Sequence, residues 1–245
     1  AEFAASEMSS YPALYEKYKD DTRSGVQKLI EQCHKKEAAL EAEKQRIEGM
    51  KVYEHKYEHL GYLCGIDEVG RGPLAGPVVA GAVILPKDCN ILYINDSKQL
   101  SEKKREELFE EITEKAIAYN IFSVDEKRID EINILNATYE AMNGAVNGLS
   151  TAPDFVLIDG NRISGMEIPH ETVVKGDSKS ISIAAASILA KVSRDRFICQ
   201  MAEKYPEYGF EKHKGYGTKA HNEAILKYGP CPIHRRTFLR KLLGE

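Results

Sequence analysis

What the sequence lacks removes several classes at once. Its five cysteines (Cys33, Cys64, Cys89, Cys199, Cys231) include no Cys-x-x-Cys pair, are odd in number and lie far apart. That speaks against a disulfide framework and against a zinc site, and leaves them as reduced thiols. The longest apolar run, residues 77–86, falls well short of the roughly 18 residues a membrane helix needs. The opening AEFAASEMSS has neither the basic flank nor the apolar stretch of a secretory signal, and is left out of the fold reasoning. No G-x-G-x-x-G opens a helix and no Gly-Lys-Ser/Thr occurs, so both nucleotide fingerprints are missing. No repeat or low-complexity tract is visible. A cytoplasmic monomer without membrane attachment is the expectation.

The 245 residues are 42% hydrophobic and 29% charged, the profile of a globular protein with one sizeable core. The net charge of -4 is unevenly spread. Residues 61–169 hold 18 acidic against 10 basic groups, whereas residues 170–245 hold 14 basic against 8 acidic. Carboxylates concentrated in the middle and a basic tail suit a protein that gathers cations in one place and polyanion phosphate in another. Random unevenness on a solvated surface accounts for the charge equally well.

Residues 1–60 read as a helical extension: dense in Glu, Lys, Gln and Ala, with Val26, Leu29, Ile30, Cys33 and Leu40 at helical intervals. The spacing fits two helices turning near Gly25, or one long helix after it. From Tyr62 the texture changes to short β-branched runs broken by Gly and Pro. Strands are predicted at 62–67, 78–85, 120–124, 155–159 and 172–174, and helices at 101–118, with Ser101 as N-cap, at 132–149 and at 180–203. Strands followed by strands alternating with helices indicate an α/β domain over residues 61–245.

The most informative stretch is Gly65-Ile66-Asp67-Glu68-Val69-Gly70-Arg71-Gly72-Pro73-Leu74-Ala75-Gly76-Pro77. An apolar strand runs into two carboxylates and then a turn whose glycines let backbone N–H groups approach a ligand. Taken alone it reads equally well as an ordinary hairpin. Asp159 ends the run Phe155–Ile158 before Gly160, and Asp177 follows Val173-Val174-Lys175-Gly176. One such Asp is a turn former or a cap; three strands each ending in Asp are harder to dismiss. If the ends converge, four carboxylates repel one another unless cations lie between them. Oxygen-only ligands select Mg²⁺ or Mn²⁺, and a pair of such ions is machinery for phosphodiester hydrolysis. One tension remains: strand neighbours face opposite ways, so Asp67 and Glu68 share a site only if the strand ends or twists near Val69-Gly70.

DEVGRGPLAGPVV, the Ile-Asp-Gly at 158–160, VVKGDSKSISIAAASILAKVSRDR and HKGYGT together closely resemble the ribonuclease HII family over residues 62–238. The resemblance implies a ribonuclease H-like fold, a mixed central sheet flanked by helices with a small N-terminal helical extension. It implies an endoribonuclease that hydrolyses the RNA strand of RNA/DNA hybrids. It also implies incision 5′ of single ribonucleotides embedded in duplex DNA, leaving 3′-hydroxyl and 5′-phosphate ends. By resemblance, Asp67, Glu68, Asp159 and Asp177 are the catalytic and metal-binding carboxylates of a two-metal Mg²⁺ or Mn²⁺ site. Gly70, Arg71 and Gly72 match the turn that contacts the ribose, and Tyr216 the tyrosine that packs on the following deoxyribose. Lys98, Lys179 and Ser187 match a surface that binds backbone phosphate. Ribonuclease HIII, a near relative, typically lacks the Gly-Arg-Gly turn and carries a larger N-terminal domain. Ser178 departs from the Ala common in the family, a small change beside Asp177.

His213, His221 and His234 receive no catalytic assignment, and His213 is expected at the surface or facing phosphate. Arg235, Arg236, Arg240 and Lys241 are expected either to embrace duplex phosphate or to sit on an exposed helix end. Residues 181–186 are expected to let their helix approach the sheet closely.

Overall fold

A computed structural model describes residue 3 and residues 6–160 and 163–244. By contact the chain separates into two compact units, residues 1–49 and 50–245. The smaller unit contains α1 (Tyr11–Lys17) and α2 (Ser24–Gly49). Phe3, Tyr11, Leu14 and Cys33 are buried together, with Val26, Leu29 and Ile30 against them. The apolar spacing after Gly25 therefore marks one face of a single long helix. Its other face carries pairs such as Glu31 with Lys35 at 2.6 Å, three to four residues apart, where helix geometry brings them together.

The larger unit opens with α3 (Val52–Tyr57), which composition had placed in the extension. Glu54 accepts hydrogen bonds from the Ser180 hydroxyl at 2.6 Å and the Ser182 N–H at 3.0 Å, and the Tyr57 ring stacks on Phe155 at 4.2 Å. Composition divides the chain at 60/61; contact divides it at 49/50. Polar residues hid the packing because Glu54 and Tyr57 use single anchoring atoms and rings and not an apolar stripe.

The sheet is formed by β1 (Leu63–Val69), β2 (Val78–Ile84), β3 (Ala118–Val124), β4 (Phe155–Asp159) and β5 (His170–Val173), in the order β3-β2-β1-β4-β5. β1, β2 and β3 pair antiparallel; β4 and β5 extend the sheet parallel to β1. Helices intervene at α4 (Glu102–Lys115), α5 (Glu126–Asn147) and α6 (Ile181–Lys204). After them come α7 (Phe210–His213), α8 (Lys219–Tyr228) and α9 (Arg236–Leu243). No described helix is long and apolar enough to cross a membrane.

Strand alternation assigns the two faces. Cys64, Ile66, Ala80 and Ala82 point into the cluster with Ala137, Ala141 and Ala145 of α5. Gly65 and Gly81 face α6 instead. A Cβ added at Gly65 would lie 2.2 Å from the Ser182 carbonyl carbon, and one at Gly81 would lie 2.5 Å from the Ala186 carbonyl oxygen. The small residues of 181–186 thus let α6 lie almost directly on the strands, as expected. Gly65→Ala should lower the melting temperature by roughly 2–12 °C, because overpacking against backbone costs about 1–3 kcal/mol in a chain of this size. Gly25→Ala, at a helical position with nothing within 4 Å, should hold or raise it. Thermal melts of the two variants side by side test the contact.

Two predicted helix boundaries moved for identifiable reasons. α4 ends at Lys115 because Ala118 already pairs with Ile84. α5 begins at Glu126, six residues early, under an Asp125 cap that accepts from the Arg128 N–H at 2.8 Å. Asn133 then breaks it with φ +67 and restarts it by accepting from the N–H groups of Leu135 and Asn136.

Candidate active site

β1 and β4 run parallel and remain paired through Ile66 and Ile158, so their next residues, Asp67 and Asp159, emerge at the same sheet edge. Such strand ends are where open α/β sheets place their ligands. Asp177 arrives by a tight return after β5. Lys175 adopts a left-handed conformation, φ +56, and the Gly176 N–H donates to Asp159 Oδ1 at 2.7 Å. A Cβ on Gly176 would stand 2.5 Å from the Ile183 side chain and 3.2 Å from that carboxylate oxygen. Only glycine lets the turn lie this close to Asp159.

The strand does not end between Asp67 and Glu68: the ladder continues through Glu68 with Ala80 and Val69 with Val79. Asp67 lies on the α6 face and Glu68 on the other. They nevertheless share one neighbour, because β4 stops at Asp159 and leaves that flank of β1 open. Burial, then Glu68 and Asp159, hold the Asp67 carboxyl well above the usual carboxylate range. Burial also raises Glu68, with the nearby Arg71 guanidinium opposing, and burial followed by the charges of Asp159 and Asp96 raises Asp177. These are the signs of carboxylates that repel one another in a poorly solvated place.

Such a set fits a hard divalent cation by its chemistry: oxygen donors only, with negative charge that a cation would relieve. Among the described residues no three of the side chains close around a single point, so the arrangement is an open edge and not a cage. Mg²⁺ in particular is held by one or two carboxylates and keeps water and substrate oxygens for its other positions.

Beyond β1 the Gly70–Pro77 turn folds back beside the acidic edge. Arg71 pairs with Glu68 at 3.2 Å. A Cβ on Gly72 would lie 3.7 Å from the Tyr216 ring, so the turn and the tyrosine, 144 positions apart in sequence, form one surface. Tyr216 is 43% exposed. Lys98 stands near Asp177 in a turn that Asp96 caps, accepting from the Lys98 N–H at 2.9 Å. The Lys179 ammonium folds onto the Val174 carbonyl at 2.8 Å. Ser187 departs from the phosphate surface suggested for it. It is buried on α6, bonds Ser97 at 2.8 Å, and its hydroxyl lowers the Asp67 carboxyl against the burial and charges that raise it.

Arg235 also departs from expectation: it is fully buried and faces no solvent, while Arg236, Arg240 and Lys241 are exposed. A helix-end pattern in basic residues could not reveal which of them turns inward. The histidines are likewise internal. The Cys231 N–H donates to His234 Nδ1 at 2.9 Å, so His234 carries its proton on Nε2 and donates to His221 Nε2 at 3.0 Å. His221 is left with a proton on Nδ1, which it donates to the Tyr216 carbonyl at 2.9 Å. Burial pulls both rings down to about 4, and they stay neutral. His213, expected outward, lies half-buried with Nε2 on the Tyr208 carbonyl.

A cavity of about 200 Å³ lies at the opposite end of the sheet, lined by Glu54, Leu63, Leu85 and Ile117 among others, and contains none of the four carboxylates.

The solved structures place this architecture. Ribonuclease H2 from Pyrococcus horikoshii OT3 superposes with a TM-score of 0.64 at 31% identity, covering 74% of this chain and 96% of that one. A ribonuclease HIII solved in complex with Mn²⁺ shares the fold with a TM-score of 0.52 at 18% identity, covering 69% of this chain and 63% of that one. Fold and acidic edge together define a hydrolase of the ribonuclease H type, with a mixed five-stranded sheet flanked by helices. The family model for Ribonuclease HII matches residues 64–241, and that for the Ribonuclease HII N-terminal domain matches residues 1–58. The ribonuclease HII of Lachnoclostridium phytofermentans is 55% identical over 93% of this chain and 89% of its own length. That of Endomicrobium trichonymphae is 64% identical over 72% and 84%. The chain belongs to the ribonuclease HII family and is a ribonuclease H acting on RNA/DNA hybrids. Its first 58 residues, which lie outside the acidic strands and the glycine turn, match a domain of the same family.

Proposed function

We propose that the protein incises duplex DNA on the 5′ side of a single embedded ribonucleotide, as well as the RNA strand of hybrids, and leaves 3′-hydroxyl and 5′-phosphate ends. The observation that carries this is the continuity of one short segment: Asp67 and Glu68 end in the Gly70-Arg71-Gly72 turn, and Tyr216 stands against Gly72.

In this reading Asp67, Glu68, Asp159 and Asp177 hold two divalent ions, Mg²⁺ or Mn²⁺. When bound, such ions lower the pKa of water and stabilise the leaving oxygen of an in-line displacement. The remaining work falls to the chain. Ser187 and the Gly176 N–H orient Asp67 and Asp159. Arg71 moderates the charge of Glu68. Backbone donors of the turn bond the ribose 2′-hydroxyl, and a site built for that hydroxyl rejects deoxyribose because its own polar groups are left unpaired. Tyr216 offers its ring to the next sugar. Lys98 and Lys179 stand at the rim for phosphate, where salt-dependent affinity arises. Every group invoked comes from one chain, so a monomer suffices.

The test is a duplex of DNA carrying one ribonucleotide, incubated with Mg²⁺ or Mn²⁺, with the ends of the products mapped. A single cut 5′ of the ribonucleotide, abolished by EDTA, is expected. Equal cutting of the all-DNA duplex, or activity in EDTA, refutes the reading.

A further inference from the structure

Two arginines in this domain are fully buried and spend their donors on backbone carbonyls. Arg235 gives Nε to Gly76 O at 2.9 Å, Nη1 to Arg71 O at 3.0 Å and Nη2 to Gly70 O at 2.6 Å. Arg194 gives Nε to Pro77 O, Nη1 to Lys214 O and Nη2 to Ala75 O, each at 3.0 Å. Desolvating one guanidinium is costly, and two placed together repel. Burial and the neighbouring Arg194 pull Arg235 down to about 9, so it remains a cation at neutral pH. A core that needed only volume would be better served by Met or Leu. The carbonyls these cations hold must therefore matter.

Those carbonyls belong to the turn described above. Every peptide bond among the described residues is trans, and in a planar trans peptide the C=O and the following N–H point in opposite directions. With Gly70 O drawn inward to Arg235, the Arg71 N–H points outward. With Arg71 O drawn inward, the Gly72 N–H points outward as well. Neither N–H finds an acceptor among the described residues. Two successive outward donors form a concavity for an electron-rich oxygen; here Arg71 pairs with Glu68 and Gly72 lies against the Tyr216 ring. Gly70 itself has φ +93, and a Cβ there would meet Arg194 Nε at 2.4 Å. Arg194 joins the Tyr216 turn to the same lattice through Lys214 O, and Leu74 N–H bonds Gly215 O at 2.9 Å.

We infer that Arg235, backed by Arg194, is a positioning residue for ribose discrimination: by holding the Gly70 and Arg71 carbonyls inward it aims the Arg71 and Gly72 N–H groups at the 2′-hydroxyl. The inference rests on the reading that this turn meets the ribose. Lysine keeps the charge of Arg235 but not the planar fork that reaches three carbonyls at once.

The experiment compares the full-length protein with Arg235→Lys and Arg235→Gln. Each is measured for melting temperature, for affinity in Ca²⁺ toward a duplex with one ribonucleotide and toward the same duplex in all-DNA form, and for single-turnover cleavage in Mg²⁺. Arg235→Lys is expected to fold, to bind the all-DNA duplex within about twofold of wild type, and to lose about tenfold or more of its preference for the ribonucleotide, the worth of one well-made hydrogen bond. Single-turnover cleavage should fall at least as far, with Arg235→Lys retaining more than Arg235→Gln. A folded Arg235→Lys with undiminished preference overturns the inference and leaves the reading of the turn intact. So does an equal loss on both duplexes, which a merely structural role would produce. If only Arg235→Gln folds, the same criteria apply to it. If neither folds, the guanidinium holds the domain at large and the inference is overturned. A wild-type protein without ribonucleotide preference removes the underlying reading, and the inference with it.

Discussion

Asp67→Asn slows single-turnover cleavage by roughly a thousandfold or more and, without metal at neutral pH, raises the melting temperature. The first effect follows if the carboxylate helps hold the charge that stabilises the transition state, a contribution of several kcal/mol at about 1.4 kcal/mol per factor of ten. The second follows from linkage. The folded-state pKa of Asp67 is raised by burial and by Glu68 and Asp159, so stability connected with this group is present below the unfolded value of about 4 and is lost as pH rises through the folded value. Asn removes that loss, and each kcal/mol regained is worth about 2–4 °C in a protein this size. Adding Mg²⁺ should stabilise wild type at neutral pH and do less for the variant. Melts with and without Mg²⁺, beside single-turnover rates, decide the matter; wild-type-like turnover in Asp67→Asn at saturating Mg²⁺ would show that the wrong carboxylate has been named.

The second large effect has the opposite pH sense and a different location. His221 and His234 are held near 4 in the folded protein against about 6.5 unfolded. Between those values the unfolded chain binds protons that the folded protein does not, so stability falls as pH drops from about 6.5 toward 4, by at most about 1.4 kcal/mol per pH unit for each ring. The geometry gives the reason: the contact between the two Nε2 atoms exists only while one of them lacks a proton. Protonation makes both donors, with His213 stacked on His221 at 4.3 Å, the Cys231 N–H and thiol against the other side of His234, and Arg236 adding positive charge. Urea unfolding at steps from pH 4.5 to 7 should show this slope, and His234→Asn should flatten it by about half. The raised carboxylates contribute equally to both proteins and cancel in the difference. An unchanged slope in the variant would falsify the assignment.

Much of the proposed site could be read directly from the chain. Asp67 and Glu68 close the apolar run of β1, Asp159 ends β4 and Asp177 sits in a turn, places where local pattern is strong: an apolar run stops, a carboxylate follows, and glycine lets the backbone turn nearby. β2 was legible because it is buried along its whole length and must be apolar throughout. Ser187, Arg194, Arg235, His221 and His234 carried no such signal. Each is a polar residue inside a helix or beside one, and nothing local distinguishes a side chain that bonds a distant carbonyl from one that meets solvent.

By its own pattern the sequence determined the mixed α/β class, the acidic strand ends and the glycine turn, because these depend on short-range periodicity and on the backbone freedom of a few residues. Tertiary structure alone decided that Asp67 and Glu68 share a neighbour although they face opposite ways, since that depends on where β4 stops. It alone decided that α3 belongs with the catalytic unit, through Glu54 and Tyr57. And it alone turned two arginines and two histidines inward, because whether a buried polar group is tolerated depends on partners such as Gly70 O and Tyr216 O, which only folding brings within reach.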